Sequence, residues 1–327
     1  MATARRENFG SLLEPGLRKI FYETYDQIPS MIAELYNVQT TNNPFEKDQS
    51  IGTMGDFPKF EGTVEYDRPY EGFSKIYEFP EFAKGFRIER KLYDDDMYSI
   101  INKRPAGLAI SAQRRRETDG AALFNNAFNS DHVGGDGVAL CSTQHPSKAY
   151  IDTGGAEGIE HRSNMLTKAL SHESLQEAKN HMRGYVDDRG GKILVQPDTL
   201  LVPVDLEEVA WELIQSDKKI DTADNNPNIH QGKYRLIVWD YLTNPDAWFL
   251  IDSKFSKMFL NWFDRIALEF AQEEEFDTLV AKFRAYMRYE CGWSDWMWIL
   301  GSDPNGGGSG NGNGSGNGDD PDPNGDT

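Results

Sequence analysis

Between Leu279 and Tyr289 the chain alternates. Leu279, Ala281, Phe283, Ala285, Met287 and Tyr289 are apolar, and Lys282, Arg284 and Arg288 stand between them. A period of two sustained over eleven residues is the signature of a β-strand with one buried and one solvated face. Such a strand needs partner strands along its edges and an apolar layer against one side, so the chain must build a long sheet and cover it. Read alone, the solvated face is cationic. Trp293, Trp296 and Trp298 follow and close the ordered part of the sequence.

The cover is helical, which makes the class α+β. A short amphipathic helix is predicted from Gly16, with Leu17, Ile20, Phe21 and Ile28 on one stripe and Pro29 ending it. Ser30 is placed to cap a second turn carrying Met31, Ile32 and Leu35. Asn42, Asn43, Pro44, Gly52 and Gly55 then read as irregular extended chain. A long helix is predicted over Asp94–Phe128, opened by three aspartates and interrupted near Pro105 and Gly107. Asp131–Gly158 is glycine-rich loop. Ser171 caps a helix that turns Leu175, Ala178 and Met182 inward. Ile193–Val195 and Leu200–Val202 read as short buried strands. Asp205 and Glu208 form a capping-box-like start to a helix with Leu206, Val209, Ala210, Leu213 and Ile214 at helical spacing. Tyr234–Trp239 and Trp248–Ile251 complete the strands.

Residues 57–86 hold nine aromatics (Phe57, Phe60, Tyr66, Tyr70, Phe73, Tyr77, Phe79, Phe82 and Phe86) against 12% overall. The sequence predicts a long hairpin there, turning at Tyr70-Glu71-Gly72. An isolated hairpin is marginal in water, so its aromatic surface needs a partner, either its own domain or a neighbouring subunit.

The formal charge is −19, of which five charges sit in the C-terminal tail and −14 remain on the rest. That balance argues against a dedicated nucleic-acid reader, which displaces counterions with basic side chains. It allows a repulsive wall beside packed DNA. The tail, residues 302–327, has no apolar side chain to bury and reads as disordered. No apolar run reaches the roughly 18 residues of a membrane span, and no secretory h-region is seen. Cys141 and Cys291 make no disulfide framework and fit a reducing compartment.

The order of elements carries more than any one of them. The blocks FAKGFRIERKLYDDDMYSII (Phe82–Ile101), CSTQHP (Cys141–Pro146) and LSHESLQEA (Leu170–Ala178) come first. QPDTLLVPVDLEEVAWEL (Gln196–Leu213), NPDAWFLID (Asn244–Asp252) and RYECGWSDWMWILGS (Arg288–Ser302) follow. Together, over Gly10–Ser302, they resemble the major capsid proteins of tailed phages with the Hong Kong 97-type fold, and within these the Mu-type major head subunits. The resemblance implies an N-arm (1–60), an E-loop hairpin (61–92) and a P-domain (93–164) with spine helix 94–128. An A-domain (165–262) and returning P-domain strands (263–301) complete it. It implies a non-catalytic subunit that assembles into pentamers and hexamers of an icosahedral shell around double-stranded DNA, built in the bacterial cytoplasm. A separate scaffold, a portal and decoration proteins are the implied partners, with no cofactor and no membrane. In that family the hairpin lies across the neighbour, which makes Tyr66, Tyr70, Phe73, Tyr77, Phe79, Phe82 and Phe86 candidate intersubunit contacts. The spine helix faces the shell interior, which offers Arg114, Arg115 and Arg116 to DNA phosphate or a neighbour's carboxylates. Some relatives crosslink a lysine to an asparagine; nothing local marks Lys75 or Lys84 as reactive.

Other chemistry is weakly signalled. Cys141 and His145 lack the further ligands of a zinc site, and a buried cysteine beside a turn histidine explains them. Asp131, His132 and Asp136 read as a solvated turn and not as a cation loop. Glu269, Glu273, Glu274 and Glu275 need no acid–base role. A cellular nanocompartment shell of the same fold, or an acidic hydrolase or carbohydrate-binding module, are the alternative readings.

Overall fold

The computed structural model describes residues 9–51, 57–64, 66, 71–89, 91–92, 95, 101–146, 162–187, 190–218, 227–275 and 277–306. In chain order the elements are α1 (Phe9–Gln27), α2 (Ile32–Leu35), β1 (Asn37–Thr40), β2 (Phe45–Ile51), β3 (Glu71–Glu78), β4 (Glu81–Glu89) and α3 (Lys103–Asn125). Then come β5 (Met165–Leu166), α4 (His172–Met182), β6 (Thr199–Val202), a 3-10 turn (Val204–Leu206) and α5 (Glu207–Gln215). The last are β7 (Arg235–Val238), β8 (Trp248–Ile251), α6 (Ser253–Phe259), β9 (Leu260–Glu275), β10 (Val280–Trp293) and β11 (Ile299–Ser302).

The alternating segment is β10, and its burial follows the predicted period: Ala281, Phe283, Ala285, Met287 and Tyr289 are buried. It pairs antiparallel with β9 on one side and β4 on the other, and β1 runs parallel to β9, giving the order β1-β9-β10-β4. Leu279 belongs to the β9–β10 turn, where it takes a left-handed φ of 52°. The outer face is not cationic as read alone. Cross-strand pairing sets Glu273 opposite Lys282 and Glu269 opposite Tyr286, and Glu275 bonds Lys282 at 2.7 Å. The four carboxylates are therefore strand residues, and Glu273 and Glu275 balance Lys282 across the ladder.

The inner face is covered by α1 and α3. Leu17, Phe21, Leu108 and Ala109 meet Ile88, Phe270, Ala281, Phe283 and Ala285. Phe21 lies 4.9 Å from Phe270, and Phe86 stacks on Phe283 at 4.9 Å. Burying one such ring contributes about 1.5–3 kcal/mol. The arm helix starts at Phe9, earlier than Gly16, and carries Pro15 within its length. Ser30 does not cap α2; its hydroxyl donates instead to Glu117 at 2.6 Å.

Helix α3 is buried along Pro105, Leu108, Ala109, Ala112, Gln113, Arg116, Glu117, Gly120, Ala121 and Phe124, a continuous helical stripe with three polar residues in its middle. The described helix begins at Lys103, with Pro105 in its first turn, where a missing N–H costs little. Asp94 and residues 96–100 lie outside the described residues. The buried Glu117 carboxylate is satisfied by Ser30, Met31 N, Gln113 Nε2 (3.0 Å) and Trp239 Nε1 (3.0 Å), tying arm, long helix and second sheet together.

The second sheet has the order β5-β11-β8-β6-β7. Leu200, Val202, Trp248, Leu250 and Leu300 pack on the helices α4 and α5, while Leu201, Ile237, Phe249, Ile251 and Ile299 pack toward α3. Phe124 sits among Trp239, Phe249 and Trp298 at 5.5–6.2 Å. Two expectations change here. The closing strand β11 joins this sheet between β5 and β8 and leaves the long-strand sheet, because Ile299 and Leu300 need both sheet faces covered. Ile193–Val195 is not a strand. Ser171 caps α4 as predicted, and the structure adds a reciprocal capping box with Ser174, whereas Asp205 falls in the 3-10 turn and makes no cap to α5.

The hairpin is displaced from its predicted place. Its strands are β2 and β3, with Phe45 opposite Glu78 and Gln49 opposite Ser74. Glu71 and Gly72 are strand residues, not a turn. Gly72 is required there, since a Cβ would lie 2.7 Å from the Ser50 carbonyl. Phe82 and Phe86 belong to β4 in the main sheet. No helix among the described residues is long and apolar enough to cross a membrane.

Candidate assembly surfaces

The hairpin is rooted by burial and open elsewhere. At its root Tyr77 is 1% and Phe79 5% exposed, both packed on Phe263. The Tyr77 ring fits only because residue 292 is glycine: a Cβ there would meet it at 2.6 Å. Lys75 Nζ sits 4.0 Å over the Trp293 ring, and burial pulls its amine below the ordinary lysine range. Beside it burial pushes the Glu290 carboxyl up. Lys75, Tyr77, Asp119, Glu290, Cys291 and Trp293 line a cavity of about 570 Å³ under the root.

Away from the root the same segment is bare. Phe57 is 102% exposed, Tyr66 86% and Phe60 69%, with Phe45, Ile76 and Val64 above half. The seven aromatics singled out in the sequence thus divide. Tyr77 and Phe79 are buried in their own chain. Phe82 stacks on Tyr289 at 4.8 Å and Phe86 on Phe283. Phe73 is half-buried beside Trp293 and Trp296, lining a cavity of about 200 Å³. Tyr66 is open, and Tyr70 lies outside the described residues. Phe45 and Ile76 were missed by sequence reasoning; their only signal is being apolar in otherwise polar segments.

The arginine run divides as well. Arg116 is buried. Its guanidinium grips Asp264 with two bonds of 2.7 and 3.0 Å and lies 4.8 Å from the Trp262 ring and 5.2 Å from Tyr289. Arg115 bonds Asp119 at 2.8 Å and covers Phe82. Arg114 is exposed, and among the described residues it makes no ion pair. Helical phase turns the third arginine inward, so it is a structural tie.

Among the described residues no catalytic arrangement forms around Cys141. Burial pushes its thiol well up, and it backs onto Gly301. His145 is fully buried and stacked on Trp296 at 4.4 Å; Nδ1 faces Asp136 at 2.7 Å and Nε2 faces Asn164 at 3.0 Å. Both ring nitrogens are occupied, leaving none to activate a thiol. Asp136 is thereby a partner of His145 and not part of a freely solvated turn. Among the described residues no group of three or more His, Cys, Asp or Glu is placed to hold a metal ion.

A half-buried hairpin that exposes three aromatic rings, set on a packed two-sheet body, defines a protein whose surface is completed by other molecules. The chain belongs to the phage capsid protein family, whose model matches residues 72–302. It is a structural subunit of a phage shell. No curated protein sequence matches it. Its fold is similar to that of the capsid protein of bacteriophage JBD30 decorated with minor capsid protein trimers. There the TM-score is 0.52 at 14% identity, covering 66% of this chain and 92% of that one. The JBD30 procapsid gives 0.53 at 14% identity, covering 90% and 75%. The mature capsid of bacteriophage PhiM1 gives 0.55 at 9% identity, covering 85% and 87%.

Proposed function

We propose that this chain is a Hong Kong 97-type major head subunit of the Mu type, closing into pentamers and hexamers of an icosahedral shell. The long helix α3 and the β4-β9-β10 sheet correspond to the spine and strands of the P-domain. The five-stranded unit corresponds to the A-domain and β2–β3 to the E-loop. The role is association and not catalysis. Head-to-tail contacts close rings, and many weak contacts in a closed lattice sum to a stable container. The shell encloses double-stranded DNA without reading its sequence, in keeping with the net charge of −19. A separate scaffold, a portal and decoration proteins act with it, in the host cytoplasm.

The observation that carries this reading is the bare hairpin: among the described residues, Phe57, Phe60 and Tyr66 find no cover. On a neighbour each ring gains about 1.5–3 kcal/mol of burial. The test replaces residues 52–70 by a short glycine-containing turn. The parent should form shells or rings by negative-stain microscopy and sedimentation, and the shortened chain should remain a folded monomer. Normal shells from the shortened chain, or a parent that stays monomeric at high concentration, would overturn the reading.

A further inference from the structure

The five-stranded unit carries two open patches of opposite charge. The first is the outer side of α5. Ala210, Leu213 and Ile214 turn inward, and the opposite side presents Trp211 at 58% exposure. Glu207 and Glu208 lie four and three residues before it, one turn along the same helical stripe. Exposed Val204 lies in the turn just before this helix, and Asp205 adds a third carboxylate there. The second patch is on α4 and the turn before β7. Lys179 and Arg183 follow each other at helical spacing, and Lys233 stands close enough that it and Arg183 help burial lower the Lys179 amine. Beneath them the buried rings of His172 and His230 lie 4.4 Å apart. Among the described residues, none of Lys179, Arg183 and Lys233 forms an ion pair, and neither do Asp205, Glu207 and Glu208.

The two patches are complementary, with three cations on one and three carboxylates on the other. Tryptophan and arginine are the side chains that most often anchor protein interfaces. Resting on the shell reading above, we infer that the α5 face of one copy docks on the Lys179–Arg183–Lys233 face of the next. Trp211 sits at the centre, and Glu207 and Glu208 meet the cations at the rim. In the rings of the shell reading the contact is head-to-tail, with the two different faces of each copy meeting those of its two neighbours around a closed ring. Opposite charges steer the encounter and fix its register.

The test uses the full chain in three forms: Lys179→Glu/Arg183→Glu/Lys233→Glu, Glu207→Lys/Glu208→Lys, and all five together. Each is followed by light scattering and microscopy over a concentration series. Each partial reversal should raise the concentration needed for assembly by about tenfold or more, and the fivefold variant should return toward the parent. Added salt should weaken the parent and relieve the partial reversals. Circular dichroism and melting check the fold. If a reversal fails to fold, the neutral Lys179→Gln/Arg183→Gln/Lys233→Gln chain replaces it and should show a smaller shift in the same direction. Folded reversals that assemble as the parent does overturn this contact and leave the shell reading standing. So does a fivefold variant no better than either partial one. A parent that never assembles overturns both.

Discussion

Replacing Arg116 by leucine should be among the most damaging single changes in the body of the protein. The side chains of Arg116 and Asp264 are only 10% and 15% exposed, so neither charge can recover its hydration once the other is gone. Breaking a buried pair costs about 3–5 kcal/mol, and the residual exposure favours the lower end, about 3 kcal/mol. In a chain of this size each kcal/mol lowers the melting midpoint by about 2 °C, so Arg116→Leu should melt about 6 °C below the parent. Adding Asp264→Leu removes the stranded carboxylate. The remaining loss is chiefly the Trp262 indole N–H, which donates to Asp264 Oδ1 at 3.1 Å and would then lack an acceptor. That costs about 1–2 kcal/mol, so the double variant should melt only about 2–4 °C below the parent. The bond from Thr41 N to the Asp264 carbonyl uses the backbone and persists. Calorimetry on the hairpin-shortened subunit isolates this effect, because lattice contacts cannot add to its stability. A single variant within about 2 °C of the parent, or a double variant no better than the single, would refute the reasoning.

Two further outcomes follow from the structure. Burial, aided by His172 and Lys179, lowers the His230 imidazole to about 4 from an ordinary 6.5. The folded state therefore favours the neutral ring, and its stability is complete above pH about 6.5 and declines as pH falls toward about 4. His230→Phe should flatten that decline in melting curves taken across the window, and an unchanged slope would assign the acid lability elsewhere. At the hairpin root, Gly292→Ala places a methyl group 2.6 Å from the Tyr77 ring. It should cost about 1–3 kcal/mol and loosen the root, read as faster amide exchange in β2 and β3. Protection equal to the parent's would show that the root does not hold the hairpin.

Legibility in the sequence followed locality. The period of β10, the Ser171 cap and the strands at Leu200–Val202 and Trp248–Ile251 were readable because each is dictated by neighbours within a turn or a few residues. Strand β2 was not. Glu46, Lys47, Asp48, Gln49 and Ser50 give no apolar alternation, because even the residues facing the body, such as Asp48, which accepts from Asn261, are polar, and only pairing with β3 makes it a strand. The sequence pattern consequently points one segment too late, to the residues of β4, which are the more regularly apolar.

The sequence by itself determined that this chain builds a long one-sided strand, a covering set of helices and an aromatic-rich segment with more ring surface than a hairpin can hide. Those are statements about periodicity and composition. Only the tertiary structure decided which rings stay bare and which charges are spent. Tyr77 and Phe79 are hidden by Phe263, while Phe57, Phe60 and Tyr66 are not. Of three consecutive arginines, one is consumed by an aspartate 148 positions away. Burial is a property of what arrives from elsewhere in the chain, and no local pattern records it.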